Sequence, residues 1–113
     1  MLKGKIVLVP FPFDDLTTTK VRPAVCLSEK IGKHDHVVLA FISSQLPERI
    51  LKFDCLIEST HENFNTTGLM RSSTLRLHRL ITVTISIIRR ELGRLPPGLQ
   101  NEVDEKLRNL FCL

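Results

Sequence analysis

Two short apolar runs, residues 6–9 and 24–27, flank a polar, threonine-rich stretch, and the second run opens on the pair Arg22-Pro23. Apolar runs of this length, bounded by turn residues, read as buried strands. Pro10 and Pro12 end the first run. Pro23 fixes its own φ and pushes Arg22 into an extended conformation. Arg22 therefore stands at a strand entrance, beside a loop that carries Thr17, Thr18, Thr19 and Lys20. That combination can hold a phosphate. An arginine in this position can also pair with Asp14 or Asp15.

The rest of the chain continues the β pattern. Strands are expected over residues 5–9, 24–28, 37–43, 50–58 and 74–80, with 81–83 as an extension of the last. In the third, Val37, Leu39, Phe41 and Ser43 share one face, and Val38, Ala40, Ile42 and Ser44 share the other. Residues 30–36 form a polar turn, and Asn65-Thr66-Thr67-Gly68 is the strongest turn signal of the loop 59–70. Ser86 can cap a short helix over 87–92, with Gly93 as its stop. Pro97 suits a first helical turn. Leu99, Val103, Leu107 and Leu110 recur at helical spacing, which predicts an amphipathic helix over 99–111. One mainly β, barrel-like domain spanning 1–113, with a C-terminal helix packed on it, is the expected architecture.

A formal net charge of +4 suits a polyanionic partner. There is no Trp and no Tyr, so any base stacking falls to six Phe, four His or the arginines. The three cysteines, Cys26, Cys55 and Cys112, form no C-x-x-C and each has apolar neighbours. Buried, reduced thiols in a cytoplasmic protein are the expectation. Neither a signal peptide nor a membrane span is expected, because no apolar run nears about 18 residues.

The N-terminal block resembles the signature of the MazF/PemK-like toxins of bacterial toxin–antitoxin pairs. Gly4, the run 6–9, Pro12-Phe13, Asp15-Leu16 and Arg22-Pro23 leading into 24–27 carry the resemblance. It continues at Phe41-Ile42-Ser43-Ser44-Gln45 and, more faintly, from Ser73-Thr74-Leu75 to Thr82. The chain departs from the pattern in two places: a Ser stands at the hydroxyl position where Thr is commoner, and Ile81 stands where relatives carry an Arg before the Thr.

The resemblance implies an SH3-like β-barrel of the MazF/CcdB type, a homodimer, a cognate antitoxin and a single-stranded RNA substrate. It implies Arg22 and Ser43 as catalytic residues, with Ser44 as the competing hydroxyl on the opposite face. The reaction would be metal-independent RNA cleavage by the substrate's own 2′-OH, leaving a 2′,3′-cyclic phosphate and a 5′-hydroxyl. Lys20, Thr19, Gln45, Ser44, Arg76 and His78 are the expected RNA contacts. No cofactor is expected, and His34-x-His36 lacks further ligands for a metal. Arg76, Arg79, Arg89, Arg90 and Arg94 form a basic set that can serve as an RNA track, an antitoxin dock or a solvated face. Two other functions fit the same fold: a non-catalytic toxin that binds a protein target, as CcdB toxins do, and an inactive nucleic-acid-binding member.

Overall fold

A computed structural model describes residues 1–10 and 20–113. Among them, six strands form one antiparallel sheet, in the order β4-β5-β3-β2-β1-β6, with one α-helix. The strands are β1 (Lys5–Pro10), β2 (Val21–Cys26), β3 (His36–Ser43), β4 (Asp54–Ile57), β5 (Ser73–Thr84) and β6 (Arg90–Arg94), followed by α1 (Pro97–Leu110). The mainly β class with a C-terminal helix is as expected. The predicted contacts and motif residues at 11–19, Thr19 among them, lie outside the described residues.

Both faces of the sheet are apolar, which explains why its inner strands read as unbroken apolar runs rather than alternating ones. Ile6 pairs with Val25, and Val25 with Ala40. These three join Ile42, Leu75 and Leu77 in a core closed by Leu99 and Val103 of α1. The alternate residues Val7, Val9, Ala24, Cys26, Val37 and Leu39 form a second core on the other face. Leu2, Phe41, Ile81, Ile85, Ile87 and Ile88 pack against this second core.

Several boundaries differ from the sequence reading, each for a local reason. β2 begins at Val21 rather than 24, because Arg22 and Pro23 pair with Val9 and Leu8 of β1. β3 pairs with β2 only from Ala24 onward, so Pro23 needs no N–H on that side. β4 is shorter than 50–58. The Asp54 amide bonds the Leu51 carbonyl at 3.0 Å, and the Leu51 amide bonds Asp54 Oδ2 at 2.8 Å. That closed turn replaces the front of the expected strand.

The helix expected over 87–92 is absent. A 3-10 turn, Ile85–Ile87, leads instead into β6, which pairs with β1 from Lys5–Arg94 to Leu8–Arg90. Ser86 bonds the Thr84 hydroxyl at 3.0 Å and caps nothing. Gly93 is a site of close backbone approach rather than a helix stop. A Cβ there would collide with the Thr66 carbonyl oxygen and the Thr67 backbone. Those residues belong to a second 3-10 turn, Phe64–Thr67, which Gly68 closes at φ 71°.

Cys26 and Cys55 are buried as expected, whereas Cys112 is exposed. It lies past the end of α1 with φ 58°, outside the helical face that packs on the sheet. Burial pushes the Cys26 thiol up to about 11. Burial, with a hydrogen bond to Glu102, pushes Cys55 to about 12. Neither is a thiolate at neutral pH, so neither acts as a nucleophile. No helix among the described residues is long and apolar enough to cross a membrane.

Candidate functional site

The sheet register brings Arg22 and Ser43 together. Ala24 of β2 pairs with Phe41 of β3. Continued two residues past the paired stretch, that register sets Arg22 toward Ser43, and both line one cavity. Directly opposed strand residues hold their Cβ atoms about 4.5–5.5 Å apart. Ala24 and Cys26 point into the second core, with Phe41 packed against it. By alternation, Arg22 and Ser43 share that face.

β5 adds two more cations through an irregularity. Ala40 pairs with Leu80 but Ile42 pairs with Leu75, so two steps along β3 are answered by five along β5. The surplus residues bulge outward, and a bulge bends its strand and re-aims its side chains. Leu75 and Leu77 enter the first core. Arg76, between them, turns to the face shared by Arg22. Arg79 leaves the same bulge three residues later.

The result is one open cavity of about 350 Å³ lined by Arg22, Phe41, Ile42, Ser43, Gln45, Arg76 and Arg79. Three guanidinium side chains, a hydroxyl and an amide surround an apolar floor. Ser43 Oγ accepts the Gln45 amide at 3.2 Å and lies 3.4 Å from the Gln45 carbonyl. This turn holds Gln45 at the cavity rim. Arg76 Nε donates to Asp54 Oδ1 at 2.9 Å, and that carboxylate is 0% exposed. Thr74, opposite Ser43 across β3–β5, is buried, and its hydroxyl has no hydrogen-bond partner among the described residues.

Of the expected site residues, Arg22, Ser43, Gln45 and Arg76 meet in this cavity. Ser44 is exposed and outside its lining, as are Lys20 and His78. The broader arginine set divides. Arg79 joins the cavity, while Arg89 and Arg90 sit by β6, at the far edge of the sheet from β5. Arg94 ties down the N-terminus through the Lys3 and Met1 carbonyls at 3.0 and 2.9 Å. The His34 and His36 rings lie 5.9 Å apart. Among the described residues, no three His, Cys, Asp or Glu side chains converge. The sequence reading missed the placement of Arg79 and Phe41 in the site and the buried partner of Arg76. Asp54, a carboxylate within an apolar alternation, was the visible signal for the last.

A curled antiparallel sheet with a cationic cavity on one face and a terminal helix on the other defines a small β-barrel domain with a site for a polyanion. The chain belongs to the PemK-like, MazF-like toxins of type II toxin–antitoxin systems, whose family model matches residues 2–111. Its fold is similar to that of the Mycobacterium tuberculosis toxin MazF-mt6, at 19% identity and a TM-score of 0.72, over 96% of this chain and 97% of that one. MazF from Deinococcus radiodurans is similar at 19% identity and a TM-score of 0.72, over 98% and 96% of the two chains. An endoribonuclease from a mycobacterial species, solved in complex with its cognate antitoxin, is similar at 13% identity and a TM-score of 0.71, over 100% and 96%. No curated protein sequence matches the chain.

Proposed function

We propose that this toxin is a metal-independent endoribonuclease that cleaves single-stranded RNA in a sequence-selective manner. One observation carries the reading: Arg22, Ser43, Arg76 and Arg79 meet in a single open cavity. RNA supplies its own nucleophile. The 2′-hydroxyl gives up its proton to solvent as its oxygen attacks the adjacent phosphorus, the bond to the 5′-oxygen breaks, and the leaving oxygen takes a proton in return. The products are a 2′,3′-cyclic phosphate and a 5′-hydroxyl. The protein must align the attack and stabilise a phosphate that gains negative charge.

Each cavity residue has a part in that task. Arg22 can grip two phosphate oxygens with its planar fork and serve as clamp or proton donor. An arginine keeps its proton at neutral pH, which argues against a role as general base. Ser43 offers a hydroxyl to the scissile phosphate from the facing strand. Arg76 and Arg79 bind neighbouring phosphates or share the transition-state charge. Gln45, on the rim, reads a base edge. Lys20, Thr19, Ser44 and His78 contribute flanking RNA contacts, felt more in binding than in chemistry.

The proposal extends to the molecule's partners. A cognate antitoxin would block the cavity with an acidic segment that orders on binding. The toxin would work as a homodimer in the cytoplasm. The test is incubation of the wild-type and Arg22→Ala proteins with defined RNA in EDTA, followed by mapping of the ends. Cleavage by the wild type alone, with 5′-hydroxyl ends, is expected. Equal cleavage by both proteins removes Arg22 from the reaction. No cleavage by either, in folded protein, defeats the ribonuclease reading.

A further inference from the structure

We propose that Asp54 is a positioning residue of the cavity, fixing the aim of the Arg76 guanidinium from a buried seat on β4. This role rests on the ribonuclease reading above. Asp54 and Arg76 are directly opposed partners across the β4–β5 ladder. Both stand at the polar positions of their alternations, on the face that carries Arg22 and Ser43. The Asp54 side chain is 0% exposed and that of Arg76 is 24% exposed, so the pair is largely withdrawn from solvent.

A buried carboxylate persists only when paired and hydrogen-bonded. Asp54 meets both conditions. Oδ2 accepts the Leu51 amide at 2.8 Å, and Oδ1 accepts Arg76 Nε at 2.9 Å. The backbone is held as well: Lys106 Nζ of α1 donates to the Asp54 carbonyl at 2.7 Å and pairs with Glu102 at 2.9 Å. Burial alone would raise the Glu102 carboxyl, but hydrogen bonds from Lys106 and Cys55 and the Lys106 charge hold it below its usual range. The carboxylate of Asp54 is thus held at both oxygens, and its backbone at the carbonyl, without any substrate.

The choice of nitrogen matters. Asp54 engages Nε, the guanidinium nitrogen nearest the backbone. The two terminal amino groups stay available to the cavity that Arg76 lines. Arg79 offers the contrast: it is exposed and has no hydrogen-bond or ion-pair partner among the described residues. Arg76 is therefore a pre-aimed donor, and Arg79 an adaptable one. Pre-aimed donors act on developing charge without reorganising.

The test is a double-mutant cycle on a defined RNA, comparing wild type, Asp54→Asn, Arg76→Ala and the double variant, with Tm measured for each. Asn keeps the shape of Asp but presents an amide, so it loses either the Arg76 or the Leu51 bond. The expected result for Asp54→Asn is a fall in kcat on the order of 10- to 100-fold, with a smaller change in KM. Arg76→Ala should lose at least as much, and adding Asp54→Asn to it should cost no further activity. If the two losses multiply, Asp54 does not act through Arg76 and the proposal fails. It also fails if Asp54→Asn keeps wild-type kcat.

Should Asp54→Asn not fold, Arg76→Lys decides. Lysine keeps the charge and can pair with Asp54, but lacks the fixed fork. Near wild-type kcat in Arg76→Lys overturns the role of an aimed guanidinium, and a loss comparable to that of Arg76→Ala supports it. Arg22→Ala separates the two levels. If it is inactive while Asp54→Asn is fully active, the site reading stands and the positioning role alone falls. If it cleaves as the wild type does, both fall.

Discussion

Arg22 combines three properties that few surface arginines share: an extended backbone set by Pro23, a strand partner in Val9 of β1, and the Ser43 hydroxyl of β3 in the same cavity. The predicted outcome of Arg22→Lys follows from this setting. Lysine keeps the positive charge but is a compact point charge without the planar fork. Loss of an oxyanion donor of this kind costs about 10²- to 10³-fold in rate. Arg22→Lys should therefore fall about 10²-fold in single-turnover cleavage of a defined RNA, with an unchanged Tm. A loss under about threefold would reduce Arg22 to a generic cation. Ser43 and Ser44 give a second contrast. Ser43 lines the cavity and Ser44 does not. Ser43→Ala should lower kcat by about 10-fold or more, whereas Ser44→Ala should act mainly on KM. The reverse ranking, read by steady-state kinetics on the same RNA, would make Ser44 the active hydroxyl.

At the scale of elements, the contact between β6 and the turn Phe64–Thr67 has a testable consequence. Gly93 has no room for a Cβ against the Thr66 carbonyl, and Gly68 meets the Leu92 backbone in the same way. Gly93→Ala should therefore destabilise the fold by about 1–3 kcal/mol, read as a lower denaturation midpoint. A neutral effect would mean that the turn can shift freely off the strand. The same contact explains why β6 was illegible in the sequence. A capping serine, apolar residues and a closing glycine spell a helix locally. Pairing with β1 and a close approach from 27 residues upstream in the chain override that spelling. β1, β3 and α1 were legible because their apolar periods coincide with the faces they bury. Arg22, Ser43 and Gln45 were legible as candidates because they sit in a recognisable block, and all three line the cavity. The bulge that recruits Arg79 was not, because it arises from a register between β3 and β5 that no local pattern encodes. The cysteines extend the point to chemistry. Cys26 and Cys55 hold their protons in the fold well above the usual thiol value of 9.0. Above pH 9 the unfolded chain therefore binds fewer protons than the native one, and stability should fall as pH rises. Below pH 9 these two thiols leave stability flat. Native protein treated with an alkylating agent at pH 8 should be modified at Cys112 and spared at Cys26 and Cys55, as peptide mass mapping would read.

For the molecule as a whole, the distribution of charge matters more than the net value of +4. The cavity collects Arg22, Arg76 and Arg79, while Arg89 and Arg90 lie across the sheet beside β6. A single strand of RNA lying in the cavity would place three phosphate-binding cations along its path. Each neutralised phosphate on a single strand contributes a slope of about −0.7 to log affinity against log salt. Three such contacts predict a slope of at least about −2, steeper by about 0.7 if Lys20 also meets a phosphate, for the toxin bound to an RNA that carries a 2′-deoxy residue at the cleavage site. That substitution removes the nucleophile, so binding is measured without turnover, and an all-DNA strand should likewise survive intact. Arg79→Ala should make the slope shallower by about 0.7, since its side chain is exposed at the cavity and free to meet a phosphate. Arg89→Ala should leave the slope unchanged. An equal loss from both substitutions would place the RNA around the edge of the sheet, and the cavity would then be one stop on a longer track rather than the place where the strand is gripped.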